Sequence, residues 1–209
     1  MSRAYAGIAF TPAVQALQSS AGSRGAYARL DRHEDAPDRL GEMEKQFIAQ
    51  RDGFYQASVG EEGWPYVQFR GGPAGFLKII DDATLGYADF RGNLQYISAG
   101  NLSGNDRVSL ILMDYAARRR LKIFGRVRIV NADQEGDRVA ALAMPGYRGK
   151  VERGVIISIE AFDWNCPQHI TPRFTEAEIA EATAPLHNEL AMLRAKVADL
   201  QRAAAFSPA

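Results

Sequence analysis

Two hydrophobic patterns divide this chain. Leu40, Met43, Phe47 and Ile48 recur at helical spacing, whereas from residue 53 onward apolar and polar residues alternate over short runs. The alternating runs cover residues 54–59, 64–70, 75–80, 84–89, 107–115, 121–130 and 155–162. Turn-forming breaks separate them, among them Gly60-Glu61-Glu62-Gly63, Gly71-Gly72-Pro73 and Asp81-Asp82. Six or seven short strands at near-regular spacing predict an antiparallel barrel or sandwich. Both ends read as helix. Thr11 suits an N-cap and Pro12 the first helical position, giving a short helix to Ser20 that ends near Gly22. Residues 23–39 are polar and aperiodic and read as loop. Toward the C-terminus, Leu186, Leu190, Leu193, Val197 and Leu200 step by four, three, four and three residues. That heptad-like seam packs either on the chain's own barrel or on a partner helix. The expected organisation is mainly β with flanking helices: helix and loop over 1–39, a barrel domain over 40–172, and a helical tail over 173–209.

Charge and cysteine content narrow the class. Lys and Arg number 25 against 25 Asp and Glu, so there is no overall basic field and nucleic acid is not an expected partner. Cys166 is the single cysteine, which removes any internal disulfide or CxxC pair and fits a reducing compartment. The first ten residues lack a secretory apolar run, and no stretch approaches the ~20 apolar residues of a membrane span. A cytoplasmic protein without a membrane partner is expected.

Three stretches carry candidate chemistry. In Tyr87-Ala88-Asp89-Phe90-Arg91-Gly92-Asn93-Leu94-Gln95 a strand runs into an Arg-Gly-Asn turn. Arginine offers a planar fork of donors to phosphate oxygens, glycine lets a backbone come close, and Asn93 and Gln95 add neutral donors. The same turn also serves simply as a solvated turn. Gly71 to Lys78 places glycines beside a strand, which suits either the close approach of a flat ligand or a plain inter-strand loop. Arg118-Arg119-Arg120 opens a later strand and reads as a solvated face or as an anion contact. After the last strand, Trp164, Cys166 and His169 invite catalytic readings. No second cysteine or nearby histidine gives a zinc-ligand spacing, and a Cys-His pair three residues apart around Pro167 need not meet. His33 and His187 have no such company. A Walker loop, G-x-G-x-x-G, H-E-x-x-H and G-x-S-x-G are all absent.

The succession of residues 71–78, 87–93, Asn105-Asp106-Arg107-Val108-Ser109-Leu110 and 120–127 resembles the FMN-binding split-barrel family related to pyridoxamine 5'-phosphate oxidase. The segment 166–170, Cys-Pro-Gln-His-Ile, is similar to that of an uncharacterised branch of the family. The resemblance covers about residues 40–172. It implies an antiparallel split β-barrel, a homodimer, and FMN in a groove between subunits. It also implies flavin contacts from Pro73, Ala74, Phe76, Leu77 and Lys78, with Lys78 matching the family's strand lysine and no arginine at the start of that strand. Tyr87 and Ala88 match a Tyr-Thr pair whose hydroxyl donor is lost, and Asp89 follows them. The family's phosphate clamp falls at Gly92-Asn93-Leu94, where Arg91 substitutes from earlier in the turn, helped by Asn93 and Gln95. A flavin-contacting glutamine falls at Arg120. Trp164, Gln168 and His169 are placed as cavity residues over the flavin. The substrate residues of the true oxidase are not recognisable, so vitamin B6 oxidation is not expected. The implied function is an FMN-dependent oxidoreductase of a small-molecule substrate. A flavin- or haem-binding module without turnover, a deazaflavin protein and a ligand-free scaffold are the alternatives.

Overall fold

The computed structural model describes residues 2–30, 36–164 and 167–205, so His33 and Cys166 lie outside the described residues. The chain divides into two compact units. One comprises Met1–Asp114 and Arg118–Ile170, the other Tyr115–Ala117 and Thr171–Ala209.

The first unit is built on one sheet. Its strands are β1 (Gly53–Val59), β2 (Pro65–Gly71), β3 (Lys78–Asp81), β4 (Thr84–Phe90), β5 (Arg107–Asp114), β6 (Arg119–Asn131) and β7 (Val151–Trp164). They lie in the order β2-β1-β5-β6-β7-β4-β3, each neighbouring pair antiparallel. The inward residues of the alternating runs make the core: Phe54, Leu110, Leu112, Leu121, Ile123 and Ile157 are all fully buried. Burying such side chains contributes roughly 1.5–3 kcal/mol each.

The sheet curls steeply. From Arg70 the pairing runs through Phe54, Leu112 and Leu121 to Trp164 on β7. Asp89, which Arg70 touches, pairs instead with Arg153 on that same strand. Arg153 and Trp164 are eleven residues apart, and that offset is the stagger a tilted barrel requires. Side chains of β1 and β2 meet those of β4, and the sheet stays open as a split barrel. A bulge at Glu160, opposite Phe124 and Gly125, bends β7 against β6. Gly125 is required there, because a Cβ would stand 2.7 Å from the Ser158 carbonyl oxygen.

Helices α1 (Arg3–Ala9), α2 (Pro12–Ser20), α3 (Arg24–Tyr27) and α4 (Glu42–Ala49) precede the sheet. The Thr11 cap and Pro12 start of α2 are as expected, the Thr11 hydroxyl accepting from Val14 N–H. The stretch expected as loop over 23–39 contains α3 and a short 3-10 turn, Ala28–Leu30. In α4 the Glu44 carboxylate accepts from Gly41 N–H at 3.0 Å, and Phe47 and Ile48 enter the core. Helices α5 (Ile97–Gly104) and α6 (Ala132–Leu142) interrupt the strands. The run expected as a strand over 75–80 forms a ladder only from Lys78. Gly75 adopts φ +78, Phe76 N–H closes a turn onto Pro73 carbonyl oxygen, and Phe76 and Leu77 drop into the core.

The second unit is dominated by α7 (Glu176–Ala205). A reciprocal capping box starts it: Glu178 N–H donates to the Thr175 hydroxyl at 3.2 Å, and Thr175 N–H donates to the Glu178 carboxylate at 2.7 Å. The Arg173 guanidinium lies 5.0 Å above the Tyr115 ring. Among the described residues no helix is long and apolar enough to cross a membrane.

Candidate functional site

The split itself forms a cleft of about 260 Å³. Alternation along β2 sends Tyr66, Gln68 and Arg70 into it, while Val67 and Phe69 point away and are exposed. The opposite wall is the end of β4 and the turn after it, with Asp89, Gly92, Asn93 and Gln95. Helix α5 crosses the top. Its Ser98 hydroxyl donates to Gln68 Oε1 at 2.8 Å, and Asn101 Nδ2 donates to the Ser58 hydroxyl at 3.1 Å. The helix is thereby pinned to β1 and β2, the strands across the split from β4.

Charge alternates around the cleft. Arg70 Nη1 donates to Asp89 Oδ1 at 2.7 Å. Arg153 Nε lies 3.2 Å from Asp89 Oδ2, close enough for an ion pair but without the alignment of a hydrogen bond, and Arg153 Nη2 donates to Glu152 at 3.1 Å. Arg91 is half-exposed and reaches Glu152 loosely at 3.7 Å, while the Tyr96 hydroxyl donates to Glu152 at 3.3 Å. Three guanidiniums thus face two carboxylates, which leaves one net positive charge. Arg70 Nε is buried and has no hydrogen-bond partner. An unpaired buried donor costs about 1–3 kcal/mol, so the wall is poised to accept an anion or another acceptor.

The backbone here is equally unfinished. Leu94 and Tyr96 both adopt left-handed conformations, φ 63 and φ 53. Such residues cost of order 1–3 kcal/mol each and cluster at ligand-binding turns. Tyr96 occupies the N-cap of α5 and makes no side-chain capping bond, so the helix presents its first N–H groups and its positive end toward the cleft. Asn93 Oδ1 accepts from Gln95 N–H at 3.2 Å and holds the turn.

Beneath the cleft, Tyr87 is fully buried and donates to Gln56 Oε1 at 2.8 Å, while Gln56 Nε2 lacks a partner. Burial pushes the Tyr87 phenol up to about 12, against the lowering influence of nearby Arg70.

The residues singled out from sequence scatter over the first unit. Asp89, Gly92, Asn93 and Gln95 line the cleft, and Arg91 reaches its rim through Glu152. Tyr87 and Ala88 are buried on β4 below it. Phe76 and Leu77 are core residues, Pro73 and Ala74 form the preceding turn, and Lys78 lines a separate groove against α6. Arg120 pairs with Met113 at the start of β6, Asn131 being the residue at the other end of that strand that pairs with Arg153. Trp164 has a structural role. Its Nε1 donates to Glu44 at 2.6 Å, its ring meets Phe47 edge-on, and the Arg119 guanidinium covers it at 4.6 Å. Gln168 and His169 form a turn after β7 outside the cleft, His169 with φ 62. Sequence reasoning missed Arg70, Ser98, Glu152 and Arg153. Only Arg70 carried a signal, as the last of three polar or aromatic residues on one face of an alternating strand.

The family model described as pyridoxamine 5'-phosphate oxidase matches residues 40–163. No curated protein matches the sequence. Among solved structures, a variant of HupZ from Group A Streptococcus superposes with a TM-score of 0.50 at 16% identity, covering 60% of this chain and 99% of that one. General Stress Protein 26 from Bacillus anthracis gives a TM-score of 0.39 at 15% identity, covering 63% and 94%. At 16% identity the likeness to HupZ speaks to the fold alone. The match over residues 40–163, which takes in β1 to β6, all but the last residue of β7 and the whole cleft, places this chain in the pyridoxamine 5'-phosphate oxidase family.

Proposed function

We propose that the chain binds FMN, with the cofactor phosphate in the cleft at the split, and acts as an oxidoreductase on a small-molecule substrate. The observation that carries this reading is the convergence of an unpartnered buried guanidinium nitrogen on Arg70 with an uncapped helix start behind a strained turn. Those groups fit a phosphate: charged and backbone donors converge, and helix N-termini favour anions. The volume fits as well. A cleft of about 260 Å³ falls below the roughly 300–1,000 Å³ of complete small-ligand sites, so it suits a phosphate and a short polyol chain rather than a three-ring system.

When bound, FMN supplies the electron-accepting and electron-donating ring of the reaction. The chain's own residues then have distinct tasks. Arg70 and the α5 N–H groups hold the phosphate, and the half-exposed Arg91 swings from Glu152 to join them. Asp89 positions Arg70 and Arg153, and its charge keeps the cleft from a large positive excess. Tyr66 and Tyr96 flank the opening. A cleft of about 260 Å³ leaves the ring in need of a further wall, and a homodimer as the working unit would supply it. Val67, Phe69, Tyr55 and Ile111, an exposed apolar band on the outward side of β2, β1 and β5, are consistent with such pairing. A cytoplasmic location accords with this chemistry.

The test is an absorption spectrum of the purified protein loaded with FMN and then desalted. Flavin bands survive in the wild type, and Arg70→Ala weakens retention at least tenfold, with Arg91→Ala a smaller loss. Colourless protein after desalting refutes the reading, and retention of a deazaflavin or haem in its place reassigns the cofactor.

A further inference from the structure

The apolar face of α7 identifies its own partner. Ile179, Leu186, Leu190, Leu193, Val197 and Leu200 are all exposed, from 44% at Leu190 to 65% at Leu186. Exposed leucines scattered over a surface mean little, but these fall on one seam. With Leu186 at heptad position d, the d positions read Ile179, Leu186, Leu193 and Leu200, and the a positions read Thr183, Leu190 and Val197. Leucine fills three of the four d positions and β-branched Thr183 and Val197 two of the three a positions, with Leu190 the exception, and leucine at d with β-branched residues at a favours two parallel strands.

The flanking charges agree. In a parallel pair each g residue faces the e residue of the next heptad on the other helix. Glu189 occupies g and Arg194 the following e, so each pairing of two copies creates two opposite-charge contacts. The other such pairs, Ala182 with His187 and Lys196 with Gln201, bring no like charges together. An antiparallel pair would oppose Glu189 to Lys196 but set His187 against Arg194, and it would replace the matched leucine layers with mixed ones. Pro185 falls at c, outside the seam, and the leucine run begins directly after it. On the opposite side, Ala184, Ala191, Ala195 and Ala198 are small and offer no second apolar stripe.

We propose that α7 is a self-association element: two copies of this chain pair their α7 helices in parallel, in register, through Leu186, Leu190, Leu193, Val197 and Leu200. The seam is short, about 22 Å at 1.5 Å per residue. Isolated coils of that length are marginal, so the pairing draws on the effective concentration that a tethered second copy provides. Every residue it uses lies in the second unit, so it is separate from the cofactor assignment, but it rests on the proposed homodimer for its tether.

Cysteine cross-linking of the full chain tests it. In a Cys166→Ser background, Leu200→Cys sits at d, facing its own counterpart in a parallel pair. In an antiparallel pair the introduced thiol would face residue 183 instead, far from the matching thiol of the other copy. Ala195→Cys, at the outer f position, is the control. Under mild oxidation Leu200→Cys is expected to form a disulfide-linked dimer at least tenfold faster than Ala195→Cys. Adding Leu193→Asp should abolish that difference while FMN retention stays unchanged. Equal rates for the two cysteines overturn the proposal, as does fast cross-linking that survives Leu193→Asp. Flavin lost while the cross-link persists would count against the cofactor reading alone.

Discussion

Replacing Asp89 with asparagine probes the split most directly. The Asp89 carboxylate touches Arg70 at 2.7 Å and Arg153 at 3.2 Å, and the three side chains are only 10%, 16% and 18% exposed. At an effective dielectric near 20, unit charges about 4 Å apart attract by about 4 kcal/mol, a gain that desolvation partly cancels in the intact cluster. Removing one partner is another matter, because the remaining cations stay desolvated; breaking a buried pair costs about 3–5 kcal/mol. Asparagine keeps one acceptor oxygen, and Glu152 stays 3.1 Å from Arg153, so the lower end of that range applies. The expected loss is about 3 kcal/mol. At ~2–4 °C per kcal/mol for a chain of this length, the thermal midpoint should fall by roughly 6–12 °C. Urea unfolding followed by circular dichroism measures the free energy, and a thermal scan checks the midpoint. Inorganic phosphate supplies a second arm: at matched ionic strength it should raise the midpoint of Asp89→Asn more than that of wild type, because the variant cleft holds three guanidiniums and one carboxylate. A loss below about 1 kcal/mol would refute the reasoning, since the guanidiniums would then be solvated well enough not to need Asp89.

Four further outcomes follow from particular contacts. Tyr87→Phe leaves the buried Gln56 amide with neither end paired and should cost about 1–3 kcal/mol in urea unfolding. The same residue shapes the alkaline limb. Its phenol is held near 12 in the fold against 10 when unfolded, so the native state keeps a proton that the unfolded chain sheds. Stability is intact below pH 10 and falls by about 1.4 kcal/mol per pH unit toward pH 12, a fall that Tyr87→Phe should lack. Gly125→Ala drives a Cβ to 2.7 Å from the Ser158 carbonyl oxygen, and the strain should lower stability by about 1–3 kcal/mol with the helices intact by circular dichroism. Trp164→Phe breaks the bond to the buried Glu44 and should cost about 1–3 kcal/mol while leaving FMN retention unchanged, and a loss of flavin instead would return Trp164 to the cavity.

The strands were legible because alternation is a local signal: each inward residue of β1, β5 and β6 can be counted along the chain. What alternation could not show was where β3 starts. Residues 75–77 look like a strand, yet the core takes both Phe76 and Leu77, and consecutive residues cannot both point inward from a strand. Helix α5 was hidden for the opposite reason. Ile97–Gly104 contains two glycines and no apolar stripe, and its position depends on Ser98 and Asn101 reaching β2 and β1. The cleft divides the same way. Its Arg91-Gly92-Asn93 turn was visible as a run of suitable donors, but Arg70 and Arg153 are 83 positions apart, and only the eleven-residue stagger brings them to one carboxylate. Arg120 and Trp164 lie away from this cleft. Both have the right chemistry for a flavin, yet β6 carries Arg120 to its opposite end and Glu44 engages the indole.

That stagger also explains why the site sits where it does. A barrel that closes with backbone ladders satisfies its edges and leaves nothing for a ligand to complete. Here the β2 and β4 sides meet through Arg70–Asp89 and Tyr87–Gln56, contacts that desolvate charged and polar groups and leave Arg70 Nε and Gln56 Nε2 unpaired. Apolar residues of similar volume at this seam would often be as stable or more so, so its polar character is better understood as a binding surface than as a brace. An anion bound at Arg70 and the start of α5 on one side, and joined by Arg91 and Asn93 of the turn after β4 on the other, would draw on both sides of the split. Binding and closure should therefore be one event. Ligand held at about a hundred times its dissociation constant adds about 2.7 kcal/mol to stability, and hydrogen-exchange protection gained on binding should concentrate in β2, β4 and α5 rather than spread evenly over the sheet. Uniform protection would mean that the ligand merely stabilises the whole barrel and that the split is not what it closes.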